Sequence, residues 1–123
     1  MKILQIVRDD ALRALVERVG AEMRAAVESY SVLCLSPDVL FTENPSDVLI
    51  VDWPAGRGFT AIGVARRDGW SGQIWFISDH ALEDPLSAID WVRMADVVLR
   101  KQVVTSGVLA ALFAQRLAEL TAP

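Results

Sequence analysis

Val48-Leu49-Ile50-Val51-Asp52-Trp53-Pro54 is the stretch on which the fold turns. Four uncharged apolar residues, three of them β-branched, run into a carboxylate, an indole and a proline. A run this short and this uniformly apolar predicts a strand covered on both faces, as in a parallel sheet. Similar runs lie on either side of it: Lys2 to Val7 (KILQIV), Ser31 to Leu35 (SVLCL), Gln73 to Ile77 (QIWFI) and Val97 to Leu99 (VVL). Most carry β-branched or aromatic residues and few charges.

Longer segments of helical period separate the runs. Leu12, Leu15, Val16, Val19, Met23 and Val27 recur at spacings of three and four, with Arg13, Glu17 and Glu28 largely off the stripe. Asp10 is placed to cap this helix. Shorter helices are predicted over Pro37 to Glu43, Gly58 to Arg67 and Pro85 to Met94, each opened by a proline or glycine. A last helix, Ser106 to Leu120, carries Leu109, Phe113, Leu117 and Leu120 on one stripe. The alternation predicts a single (βα)5 domain over residues 1–123, a doubly wound parallel sheet in a flavodoxin-like three-layer sandwich.

The composition excludes several classes. With 123 residues, 53% hydrophobic, the chain can bury a core without staples. One cysteine (Cys34) and one histidine (His80) supply no intramolecular disulfide, cysteine-rich zinc site or histidine pair. A net charge of −4 argues against direct nucleic-acid binding. The apolar runs are too short to cross a bilayer and no leader pattern opens the chain, so a cytoplasmic domain without membrane contact is expected. Cys34 reads as a small core residue and His80 as a solvated loop residue.

In an open α/β sheet the chemistry collects beyond the carboxyl ends of the strands. Those ends read Arg8-Asp9-Asp10, Asp52-Trp53-Pro54, Ser78-Asp79-His80 and Arg100-Lys101-Gln102. They bring one carboxylate, one hydroxyl and one ammonium together.

Over essentially its whole length the chain resembles the receiver domains of two-component response regulators, the CheY-like fold. The segment Glu43-Asn44-Pro45-Ser46-Asp47-Val48-Leu49-Ile50-Val51-Asp52 is similar to the family's run into its phosphorylated aspartate, Ser78 to its Ser/Thr position and Lys101 to its lysine. The resemblance implies phosphoryl transfer to Asp52 from a histidine kinase, with Mg²⁺ on an acidic pair and Ser78 and Lys101 on the phosphoryl oxygens. A cation and an ammonium would offset charge on those oxygens.

Five departures set this chain apart. Aligned without a gap, the first strand places Val7 and Arg8, not Asp9 and Asp10, at the acidic pair. Arg8 then stands at the family's interval before Asp52, whereas Asp10 stands two residues closer. In this register the Arg8 guanidinium is expected to pair with Asp52 where a metal would sit. The loop after Asp52 is two residues short between Trp53 and Pro54. Asp79 replaces a small residue after Ser78 and would repel a phosphoryl dianion. Gln102 replaces a proline, and Val98 an aromatic switch residue.

Together these predict a degenerate receiver, or pseudo-receiver: a signalling domain rather than an enzyme, acting through protein contact and needing no cofactor. Its partners would be signalling proteins, a histidine kinase or an output protein. The rival is a working phospho-acceptor, with Asp9, Asp10 and Asp52 on Mg²⁺. A flavodoxin-like small-ligand binder is the third reading, opposed by the lack of a glycine-rich phosphate cradle.

Among the four tryptophans, Trp75 is expected in the core, Trp53 packed beneath the pocket rim rather than over it, and Trp70 partly exposed in a loop. With Leu82, Leu86 and Ile89 taken as the sheet-facing stripe of the fourth helix, Trp91 and Met94 fall on the outer face. Trp91, Met94 and Val98 are therefore the expected interface residues. The resemblance places dimer contacts on this fourth helix, the fifth strand and the fifth helix.

Overall fold

The computed structural model describes residues 1–30, 45–53, 56–79 and 85–122, with the side chains of 56–61, 85–88 and 90 also outside the description. Five parallel strands, β1 (Lys2–Ile6), β2 (Ala26–Tyr30), β3 (Val48–Val51), β4 (Gln73–Ile77) and β5 (Val97–Leu99), form one sheet in the order β2-β1-β3-β4-β5. Strand order therefore reverses between β1 and β3, the point beyond whose carboxyl ends ligands collect in open α/β sheets. The helices are α1 (Asp10–Glu22), α2 (Gly56–Arg67), α3 (Pro85–Met94) and α4 (Ser106–Thr121).

Alternate strand residues feed two cores, as the two-residue period of a strand requires. Leu4, Ile6, Leu49, Val51, Ile74 and Phe76 pack with Ile62, Ala65, Trp70 and Trp91 on one face. Ile3, Val7, Val48, Ile50, Trp75 and Ile77 pack with Leu12, Val16, Val19, Leu109 and Phe113 on the other. Trp75 is in the core as expected, its ring stacked on Phe113 of α4 at 5.2 Å. Leu120, the last of the predicted α4 stripe, is exposed.

The α1–β2 boundary differs from the expectation. The helix stops at Glu22, and Val27 lies in β2 opposite Ile3 instead of continuing the helical stripe. Arg24 takes a left-handed φ of 58°, and the Ala25 amide reaches back to the Gly20 carbonyl at 2.9 Å, a wrap that ends helices. Val27 fits both periods, so its spacing alone does not separate helix from strand. Gly20 permits the close approach: a Cβ there would fall 2.5 Å from Val27 Cγ2. The strand expected at Ser31 to Leu35, the helix expected at Pro37 to Glu43, Cys34, Pro54, His80 and Leu82 lie outside the described residues, as does the Leu86 side chain.

Two tryptophan expectations are corrected. Trp70 is buried, its indole N–H donating to the Ser46 carbonyl at 2.8 Å. Gly72 makes room for that ring, since a Cβ there would lie 2.5 Å from it and 2.6 Å from the same carbonyl. Trp91 is only 1% exposed and stacks on Phe76 of β4 at 6.3 Å. Met94 packs against the same core, while Ile89 and Val92 face outward. The phase of α3 is thus turned from the predicted one. An indole buries far more apolar surface than a β-branched aliphatic, and the helix seats its largest side chain.

Candidate functional site

The β1 chain runs on through Val7, whose amide donates to the Tyr30 carbonyl, and turns at Arg8 and Asp9 into α1. Asp9, not Asp10, caps that helix. Its backbone is extended and its Oδ1 accepts the Leu12 amide at 2.9 Å. Asp10 is the first helical residue; its side chain is 93% exposed and pairs with Arg13 at 3.0 Å. The sequence carries two adjacent acids with equal capping chemistry, and the position of the turn selects between them.

β3 delivers Asp52 to the switch point, where the carboxylate is 1% exposed. Its Oδ1 accepts the Arg8 amide and its Oδ2 the Asp9 amide, each at 2.9 Å. Lys101, opening a 3₁₀ turn (Lys101–Val103) after β5, brings its Nζ to 3.4 Å from Asp9 Oδ2 and 3.7 Å from Asp52 Oδ2. Ser78 is buried at the end of β4, its amide donating to the Leu99 carbonyl at 3.0 Å.

The structure thus gathers Asp52, Asp9 and Lys101 at bonding distance, with Ser78 at the neighbouring strand end. Arg8 meets Asp52 through its main chain only. Its guanidinium, expected on the Asp52 carboxylate, lies instead over the Trp53 ring at 4.4 Å from the centroid. There it keeps its edge donors hydrated while its face meets the indole. Trp53 is 41% exposed, so it forms the outer rim rather than packing beneath it. Asp79 is half-buried and Gln102 exposed; both line a pocket of about 400 Å³ with Asp9, Leu12, Lys101 and Val104. Val98 is exposed on the edge strand β5.

The Leu12 amide holds the Asp9 carboxyl below its ordinary value of 3.8; partial burial opposes this and the Lys101 ammonium reinforces it. A lowered folded-state pKa contributes stability that is complete above the unfolded value and is lost as pH falls through the lowered one. Asp9→Asn keeps a capping oxygen but carries no charge. The stability gap between wild type and Asp9→Asn is therefore expected to be open at neutral pH and to close in acid, as pH falls through the lowered Asp9 value. Thermal midpoints measured from neutral pH into acid check it; a gap that persists in acid contradicts an origin in the carboxylate's charge.

Divalent magnesium needs about six oxygen ligands in a near-octahedral set. Here one Asp9 oxygen caps a helix and the other meets an ammonium, Asp10 points away with Arg13, and both Asp52 oxygens hold amides. Among the described residues no cluster of three or more acidic, histidine or cysteine side chains is placed to hold a metal. Among the described residues the acids nearest Asp52 are thus already engaged, Asp9 by the Leu12 amide and the Lys101 ammonium and Asp10 by the Arg13 guanidinium.

No family model and no curated protein matches this sequence. Solved structures do match. An orphan response regulator of H. pylori superposes with a TM-score of 0.70 at 18% identity, over 95% of this chain and 96% of that one. A response regulator from Thermotoga maritima gives 0.69 at 14%, over 95% and 97%. One from Burkholderia multivorans gives 0.67 at 21%, over 99% and 95%. The fold is that of a response-regulator receiver domain. Asp52, Ser78 and Lys101 stand just past the carboxyl ends of β3, β4 and β5. The main-chain donors of Arg8 and Asp9 were not foreseen, because an amide has no letter of its own. Asp9 as a cap beside a lysine leaves a trace only in hindsight, as an acid three residues before Leu12.

Proposed function

We propose that this chain is an atypical receiver module of two-component signalling that works through protein contact and does not use Asp52 as a phospho-acceptor. The observation that carries this reading is the state of the Asp52 carboxylate. A nucleophile needs an accessible oxygen not held by hydrogen-bond donors, and attack on phosphorus needs a cation to offset charge on the equatorial oxygens. Asp52 is buried, each of its oxygens accepts a main-chain amide, and the neighbouring acids are committed elsewhere. The negative Asp79 on the adjoining pocket adds repulsion toward a dianion.

On this reading the module is regulatory rather than catalytic, resides in the cytoplasm and needs no metal. No helix among the described residues is long and apolar enough to cross a membrane. Its partners are signalling proteins, a kinase or an output protein, or a second copy of the chain. Ile89 and Val92 of α3 and Val98 of β5 replace Trp91 as the apolar residues offered on that side.

The test is a phosphoryl mimic. Beryllium fluoride with Mg²⁺, titrated into the protein and followed by amide chemical shifts, is expected to leave Asp52 and its neighbours unmoved. Saturable 1:1 binding that shifts the β3 end would establish the rival, a working phospho-acceptor.

A further inference from the structure

Three aspartates occupy strand ends in the same way. Asp47, just before β3, accepts the Lys2 amide of β1 at 2.7 Å. Asp96, just before β5, accepts the Ile74 amide of β4 at 2.8 Å. Asp52, just after β3, accepts two amides from the end of β1. Each carboxylate adds a side-chain bond between neighbouring strand ends; Asp47 and Asp96 also make main-chain bonds there, their amides donating to the Lys2 and Ile74 carbonyls. Asp52 differs from the other two in being almost wholly buried; Lys101 stands 3.7 Å from it, as Arg66 stands 3.8 Å from the more exposed Asp96.

We propose that Asp52 is a structural clamp and Lys101 its resident counter-cation, together fixing the turn between β1 and α1. The proposal deepens the reading of Asp52 as no phospho-acceptor, and rests on it.

Two carboxylates face one ammonium, and the two amides with the N-terminus of α1 offset the remaining charge. The clamp also reaches beyond its own bonds. Asp52 holds the Asp9 main chain, and the Asp9 side chain caps α1 and meets Lys101. One carboxylate thereby joins β3, β1, α1 and the turn after β5. The Arg8 side chain takes no part, being turned onto Trp53.

The clamp predicts a sign. In an acidic site built for a divalent ion, carboxylates without the ion repel one another, and neutralising one raises stability. Here Asp52→Asn keeps the shape but replaces one acceptor with an NH₂ facing an N–H donor. The thermal midpoint is expected to fall by about 5 °C or more. A midpoint that rises or stays put overturns the clamp.

Hydrogen exchange on the wild-type protein gives a second arm that does not depend on the variant folding. The Arg8 and Asp9 amides, although in a turn outside the ladder, are expected to exchange roughly a hundredfold or more slowly than an open loop, as buried bonded amides do. Loop-like exchange at both overturns the proposal. The two readings fail separately: beryllium fluoride binding with Asp52→Asn still destabilised removes only the phospho-acceptor argument, whereas an inert pocket with a stabilised Asp52→Asn removes only the clamp.

Discussion

Trp91→Ala is expected to lower the unfolding free energy by about 3–5 kcal/mol, the range for removing a buried aromatic from a packed core. The indole is 1% exposed, it stacks on Phe76, and its cluster holds α3 against β4. No neighbour of alanine size can fill the volume left behind, so the loss combines lost transfer energy with a cavity. Set against a domain stability of about 5–15 kcal/mol, this is a large fraction of the whole. Urea denaturation followed by circular dichroism reads it directly. A surface Trp91 would instead change stability by about 0.5 kcal/mol or less. The substitution therefore also tests whether α3 carries its tryptophan inward.

Lys101→Met is expected to cost about 2–3 kcal/mol. Removing one partner of a buried ion pair costs about 3–5 kcal/mol, because the other charge stays buried without compensation. The lower figure applies here because Lys101 is 28% exposed and the two amides still serve Asp52. Methionine keeps most of the apolar stem, so the loss reports charge rather than packing. The deficit is expected to persist in molar salt, since screening acts weakly on partly buried pairs. Chemical denaturation at low and high ionic strength checks both statements. A change within about 0.5 kcal/mol would mean that Lys101 is a solvated lysine.

What could be read in the sequence follows from what repeats in it. The apolar runs at β1, β3 and β4 were legible because an interior parallel strand is buried on both faces and has no polar side to confuse the pattern; β5 repeats the run although, at the sheet edge, it leaves Val98 exposed. Asp52, Ser78 and Lys101 were legible as a group because the ends of such strands converge. The end of α1 was not, because Val27 satisfies both the helical and the strand period while the deciding event is one left-handed residue, Arg24. The phase of α3 was not, because Ile89 and Trp91 lie on opposite sides of a short helix, and only competition for the core under β4 decides which is buried.

The site divides along the same line. Residue identity alone determined that acids, a serine and a lysine would stand around the switch point. Tertiary structure decided what each does there. Whether Arg8 offers Asp52 its guanidinium or its amide, and whether Asp9 or Asp10 caps α1, depends on where the β1 chain turns relative to β3. Main-chain donors carry no sequence signal, and their direction exists only once the strands are side by side.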